Sequence, residues 1–235
     1  MIKKAMILAA GFGKRIKPLT NNCPKPLLKI GKETLLSNSL KFLELLGIEK
    51  VIINVHYLSE QIIDYINKNK FNLNINIIKE EGKILDTGGG VLNAIKYFSN
   101  EPFIIINPDT IWNSNYLNEI KLMEELFFEN SKSNCFLLLA NKKKSFDKFL
   151  NGDFNLNENM VTREKGADLD YIYTGLQIIK PAVFSDMNPT VFSINNIWDK
   201  LIKKNELYGM KSSIDFLHVS TLSTYQKLLK TNFKN

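Results

Sequence analysis

The chain has 235 residues, 44% apolar and 23% charged, enough for one substantial core or one domain with a small appendage, which excludes a disulfide-stapled miniprotein. Its 31 basic and 24 acidic residues leave a formal charge of +7, but 29 of the cations are lysines scattered without blocks, beside 28 Asn and 27 Ile; this is a chain-wide bias, and no nucleic-acid tail is indicated. Cys23 and Cys135 form no C-x-x-C or Cys/His spacing, which argues against a disulfide framework or structural zinc and fits a reducing cytoplasm.

Ala5 to Ala9 is an apolar run bounded by Lys and Gly and predicts a buried strand. It gives way to Gly11 too soon for a signal sequence, and no apolar stretch nears the ~20 residues that span a bilayer. Residues 34 to 46 place Leu36, Leu40 and Leu43 at helical spacing with Gly47 as a stop. Val51 to Val55 predicts a second strand, Ser59 the cap of a helix burying Ile62, Ile63 and Ile66, and Ile75 to Ile78 a third strand.

The glycines at 88 to 90 introduce another helix, and Phe103 to Ile106 predicts a fourth strand. Residues 116 to 128 read as helix and Cys135 to Ala140 as a fifth strand. Between Asn141 and Asp170, polar residues, Gly152 and Gly166 interrupt weak strands around Phe154 and Met160 to Arg163, which predicts an inserted flap or small β region. A strand over Tyr171 to Ile179, a helix over Ile194 to Lys204, a strand near Phe216 to Val219 and a helix to about Lys230 complete the chain. Strands alternating with helices predict a single domain over 1–235, an α/β fold of three α/β/α layers around a mostly parallel sheet, with the small β insertion at about 141–170.

In open α/β sheets ligands bind beyond the carboxyl ends of the strands, which directs attention to three segments: Gly11-Phe12-Gly13-Lys14-Arg15, Asp86-Thr87-Gly88-Gly89-Gly90 and Asn107-Pro108-Asp109. The first fails the dinucleotide fingerprint, which needs glycine at Ile16, and the P-loop, which needs glycine at Leu8 and Ser or Thr at Arg15. What remains is a glycine loop whose backbone N–H groups can approach an anion, followed by Arg15, Lys17 and Lys25. A polyphosphate suits that arrangement. Arginine occurs only at 15 and 163, and a guanidinium grips phosphate or carboxylate bidentately where an ammonium cannot. Lys25 reads as a solvent-facing loop residue. Asp109, at a strand exit, is suited to Mg²⁺ on a triphosphate, though a turn or cap aspartate has the same spacing. Gly88 to Gly90 read either as a flexible turn or as a close backbone approach to sugar or base, with a helix N-terminus open to an anion.

Leu8-Ala9-Ala10-Gly11-x-Gly13-x-Arg15-x-x-Pro18-Leu19-Thr20, followed by Pro24-Lys25-Pro26-Leu27, closely resembles the signature of sugar-1-phosphate nucleotidyltransferases. The resemblance continues through Asp86 to Gly90, Asp109 and Tyr173-Thr174-Gly175, and so covers nearly the full chain. In length and in the Thr-Gly-Gly-Gly loop it is most similar to N-acetylmuramate α-1-phosphate uridylyltransferases, then to mannose-1-phosphate guanylyltransferases.

The resemblance implies a cytoplasmic enzyme with a Rossmann-like sheet. Its expected reaction is Mg²⁺-dependent transfer from a nucleoside triphosphate, UTP first, to a sugar 1-phosphate, N-acetylmuramate 1-phosphate first. It implies that Gly11 and Gly13 cradle the triphosphate, Arg15 binds its outer phosphates and Lys25 stabilises charge at the α-phosphate. Ala10 and Gly11 are expected to read the base by their backbone, with Gly88 nearby. Asp109 is the expected metal ligand, Glu164 and Lys165 the pair near the sugar and its phosphate, and Thr174 and Gly175 the lining of the sugar pocket. At the family's second metal aspartate this chain has His218, a poor Mg²⁺ ligand. Three readings follow from that: Asp109, phosphates and water hold the ion; His218 contributes in another way; or activity is weak. A non-catalytic nucleotide-sugar sensor is the alternative that His218 motivates. Nucleic-acid and membrane partners are not expected, and oligomeric state is not legible.

Overall fold

The computed structural model describes residues 1–164 and 166–231. In β1 (Lys4–Leu8) successive side chains part to opposite faces, Ala5 and Ile7 to one and Met6 to the other. A two-stranded hairpin, β2 (Lys29–Ile30) with β3 (Glu33–Thr34), precedes α1 (Leu35–Leu45). The start of α1 is set by a reciprocal cap, in which Ser37 N–H donates to Thr34 Oγ1 and Thr34 N–H to Ser37 Oγ, both at 2.9 Å. Then come β4 (Lys50–Val55), α2 (Ser59–Lys68), β5 (Asn74–Lys79), α3 (Asp86–Ala94), β6 (Phe103–Ile106), α4 (Tyr116–Glu129) and β7 (Cys135–Asn141). The chain continues through β8 (Asn155–Asn157), β9 (Met160–Thr162), β10 (Tyr171–Ile179), α5 (Asn195–Lys203), β11 (Leu207–Ser212) and α6 (Leu222–Leu229).

Nine strands form one sheet in the order β5-β4-β1-β6-β10-β7-β11-β9-β8. β5, β4, β1 and β6 are mutually parallel, as are β7 and β11, whereas β10 opposes β6 and β7, and β9 opposes β11 and β8. Burial on both faces explains the unbroken apolar run of β6 and the run Val51 to Ile53 of β4. On one face Ile7, Ile53 and Ile106 pack against α1, α2 and α4 through Leu40, Ile62 and Met123. On the other, Met6, Ile52 and Ile105 meet α3 and α5 through Val91, Ile197 and Leu201. Three layers result, as the alternation of strands and helices predicts. Helix α6 seals the loop after β1 from below: Tyr225 and Leu228 pack with Ile16 and Leu28, and Tyr225 OH donates to Lys29 O at 2.8 Å. Among the described residues no helix is long and apolar enough to cross a membrane.

Three local expectations need correction. The cap of α2 is Leu58, at a left-handed φ of 50°, with Ser59 the first helical residue. Gly88, Gly89 and Gly90 lie inside α3, where buried packing outweighs their poor helix propensity. Residues 216–219 form only single bridges, Ser145 with Phe216 and Thr110 with His218, while the strand lies upstream at β11. Gly209 masks β11 in sequence; a Cβ there would sit 2.9 Å from Leu137 O, so the small residue is a packing requirement of the sheet. Of the flap or small β region expected at about 141–170, the structure has the β region, whose strands β8 and β9 continue the central sheet past β11.

Candidate active site

The loop after β1 is tied to the loops after β4 and β5 by a buried carboxylate. Ala9 N–H donates to Asn54 Oδ1 at 3.0 Å, Asn54 Nδ2 donates to Glu80 Oε1 at 2.7 Å, and Glu80 Oε2 accepts from Leu85 N–H at 2.8 Å. Glu80 is 3% exposed, so losing either partner would strand a buried acceptor. His56 supports the same corner: its Nδ1 lies 2.8 Å from Glu80 O, which requires the proton there, and Phe12 packs edge-on against its ring.

Gly13 turns the loop at φ +62°, where a side chain would be strained and its Cβ would come 2.9 Å from Thr20 Cγ2. At Gly11 a Cβ would meet no protein atom within 4 Å, because this edge faces the cleft. Arg15 is exposed on the rim and makes no side-chain hydrogen bond or ion pair among the described residues. Lys25 departs from expectation: its side chain is only 15% exposed and its Nζ is bonded to Asp109 Oδ2.

Asp109 is therefore the electrostatic centre. Burial by itself would raise its carboxyl, but the charge of Lys25 and the contact with His218 hold it well below the usual carboxylate range. His218 Nε2 lies 3.1 Å from Asp109 Oδ2, and its ring stacks on Phe216 at 5.4 Å between centroids. Both bonded partners engage Oδ2; Oδ1 is buried with no partner among the described residues. An ionised carboxylate with one uncommitted oxygen suits a hard cation.

Ala10, Gly11, Gly13, Arg15, Lys25 and Asp109 line one cavity of about 360 Å³. A second cavity, of about 270 Å³, shares Leu8, Asp86, Thr87 and Asn107 with the first as a common wall. Beyond that wall it is bounded by Asp153, Tyr173, Gln177, Asn195 and Trp198.

Other expected residues lie elsewhere. Gly88 faces protein: a Cβ there would meet the Phe192 ring at 2.3 Å, and the N–H groups of Gly88 and Gly89 both donate to Phe192 O. The N–H groups of Gly88 and Gly89 are thus satisfied internally and are not available to an anion. Thr174 is buried and lines neither cavity, its Oγ1 donating to Leu138 O at 2.8 Å. Gly175, at φ +93° in an irregular stretch of β10, presses against Asn107, where a Cβ would come 2.8 Å from Asn107 Cβ; it shapes the common wall from behind. Glu164 is exposed and lines neither cavity, and Lys165 lies outside the described residues. Arg163 binds Asn195 Oδ1 at 2.7 Å and Asp199, joining the strand β9 edge to α5.

Sequence reasoning gave no individual role to Asp86, Thr87 or Asn107 and missed Asp153 as a cavity residue. For the first three a signal existed, since each belongs to a segment singled out beyond a strand's carboxyl end. Asp153 had none.

Residues 4–146 match the family model described as nucleotidyl transferase. N-acetylmuramate alpha-1-phosphate uridylyltransferase of Caulobacter vibrioides is 28% identical over 222 residues, covering 92% of this chain and 91% of the relative. Mannose-1-phosphate guanylyltransferase 1 of Arabidopsis thaliana is 26% identical over 219 residues, 88% of this chain and 58% of that protein. Among solved structures, HddC from Yersinia pseudotuberculosis complexed with GMP-PN matches with a TM-score of 0.75 and 25% identity, covering 97% of this chain and 98% of that one.

Proposed function

The chain belongs to the nucleotidyl transferase family, and on that premise we propose that it transfers a nucleotidyl group from a nucleoside triphosphate to a sugar 1-phosphate as a single-domain cytoplasmic enzyme. The observation that carries this reading is the convergence of the glycine loop, Arg15, Lys25 and Asp109 on one cavity that shares a wall with a second. Two polyanions have to be brought together, and the paired cavities suit a nucleotide on one side and a sugar on the other.

An oxygen of the sugar 1-phosphate attacks the α-phosphate in line; the bond between the α-phosphorus and the bridging oxygen breaks, and pyrophosphate leaves. The nucleophile is already ionised, so no general base is needed, and the protein's work is positioning and charge neutralisation. Backbone N–H groups around Gly11 and Gly13 hold the triphosphate, Arg15 grips its outer phosphates, and Lys25 faces the charge that develops at the α-phosphate. Ala10 and Gly11 contribute backbone contacts to the base.

Asp109 fits Mg²⁺. Its Oδ1 is buried without a partner, and Mg²⁺ is satisfied by one or two carboxylates with phosphate and water completing the shell. No group of three or more His, Cys, Asp or Glu able to hold a metal occurs among the described residues, so the substrates would supply the remaining ligands. When bound, the ion neutralises triphosphate charge. His218 then serves as a positioning partner that holds Asp109 through Oδ2 and leaves Oδ1 free.

Overall likeness to the uridylyltransferases favours UTP with N-acetylmuramate 1-phosphate. The likeness to HddC complexed with GMP-PN, together with that to mannose-1-phosphate guanylyltransferase 1, supports guanylyl transfer to mannose 1-phosphate as the second reading. The test is pyrophosphate release with Mg²⁺, each of UTP, GTP, CTP and dTTP, and a panel of sugar 1-phosphates. UTP with N-acetylmuramate 1-phosphate is expected to show the highest kcat/KM; binding without pyrophosphate release for every pair overturns the reading in favour of a sensor.

A further inference from the structure

The second cavity holds a carboxylate that the chemistry above does not use. Asp153 faces it from a rigid position: its N–H donates to Tyr171 O at 2.7 Å, the next N–H donates to the same oxygen at 3.0 Å, and a Cβ on Gly152 would sit 1.9 Å from Leu169 O. The backbone therefore cannot shift to withdraw the side chain. One carboxylate oxygen, Oδ2, accepts Tyr173 N–H at 2.9 Å; the other makes no hydrogen bond among the described residues. Burial pushes its carboxyl up from the ordinary value, against the Tyr173 N–H bond and the charge of Arg163.

Its surroundings are those of a polyol site. Trp198 packs against Tyr173 at 4.8 Å between centroids, and its Nε1–H is committed to Gln177 Oε1 at 2.8 Å, so the aromatic pair offers a fixed apolar wall. Asn107, on the wall shared with the nucleotide cavity, makes no side-chain hydrogen bond among the described residues. A fixed acceptor, a neutral amide and an apolar wall match a ring that presents hydroxyl or amide N–H donors on one side and C–H groups on another.

We propose that Asp153 is a specificity-determining residue that accepts a hydrogen bond from a ring hydroxyl or amide of the sugar 1-phosphate, with Asn107 contacting the same sugar near its phosphate. This rests on the sugar-1-phosphate reading. Asp153 is half-buried, and a bound ring would complete the shielding of its free oxygen, so a ligand lacking the matching donor would leave that acceptor unpaired.

The experiment compares the wild type with Asp153→Ala and Asp153→Asn, using monodeoxy and deoxyfluoro forms of N-acetyl-α-muramate 1-phosphate and α-mannose 1-phosphate. Asp153→Asn retains an oxygen for Tyr173 N–H and so guards against loss of folding in the alanine variant. The wild type is expected to disfavour the analogue lacking one particular donor by about tenfold or more in kcat/KM, and that preference should fall to near unity in the variants. Their KM for the parent sugar should rise about tenfold while the KM for the nucleotide stays within about twofold. Unchanged sugar KM, or an undiminished donor preference in variants that melt like the wild type, overturns the assignment and leaves the enzyme reading intact. No pyrophosphate from the wild type with any pair removes both.

Discussion

The two cavities sit side by side yet are assembled by different means. The proposed nucleotide side takes half of its lining from residues 8–25 and the rest from short stretches that include Asn54, Asp86, Asn107 and Asp109, and it acts through backbone N–H groups and a few charges. The proposed sugar side takes Asp153 from the segment before β8, Tyr173 and Gln177 from β10, and Asn195 and Trp198 from α5. Holding a polyphosphate demands closely spaced donors, which one short loop can supply. Reading a ring demands separate side chains fixed at separate angles, which only several elements together can supply. Mutations on the nucleotide side should thus act on turnover and nucleotide binding, and those on the sugar side on sugar KM.

The sharpest way to break this contrast is at Asp109 and Lys25. Asp109→Ala should lower metal-dependent turnover by on the order of 10³-fold or more, and unchanged rates at limiting Mg²⁺ would remove Asp109 from the site. Lys25→Ala should cost about 10²- to 10³-fold in kcat. Because Lys25 partners a buried carboxylate, the same variant should also lose about 1–3 kcal/mol in chemical denaturation. Combining it with Asp109→Ala should restore much of that stability without restoring turnover; a double variant as unstable as Lys25→Ala alone would show that the lysine's packing, and not its charge, matters.

A smaller effect separates the two glycines. Gly13→Ala should cost about 1–2 kcal/mol, since the left-handed backbone penalises a side chain and Thr20 blocks it. Gly11→Ala should melt like the wild type yet bind nucleotide several-fold more weakly in titration calorimetry, because its Cβ projects where only ligand is expected. Normal nucleotide affinity in that variant would move the triphosphate away from the loop.

The smallest expected effect is on stability against pH. The Asp109 carboxyl is depressed in the folded state, so its contribution is fully present above the unfolded carboxylate value of about 3.9 and fades as pH falls below it towards the folded value. The stability difference between the wild type and Asp109→Asn should therefore shrink as pH falls below about 4. A difference that does not shrink below about pH 4 would mean that Asp109 is not held ionised by its neighbours.

The legible parts share one property: their signal is local. Short apolar runs marked β1, β4 and β6 because strands buried on both faces need no polar alternation, and the spacing of Leu36, Leu40 and Leu43 marked α1. The loop at 11–15 could be read as an anion cradle because glycine, backbone N–H and arginine act within a few residues of one another. β11 escaped because Gly209 and Lys211 interrupt its pattern, the glycine serving contacts with β7 and β9 that lie far away in sequence. Gly88 was misplaced for a related reason: its missing side chain makes room for Phe192, a residue about a hundred positions later.

By itself the order of residues determined the layered α/β plan and the glycine loop after the first strand, since each follows from backbone conformation and hydrophobic period within one segment. Tertiary structure alone decided that Lys25 lies on Asp109, that His218 braces the same carboxylate, and that Asp153 faces a cavity beside Trp198. Those outcomes depend on burial and on charges meeting across 45 to 109 positions of chain, and a pairwise electrostatic term has no value until folding sets the distance and removes the water between its partners.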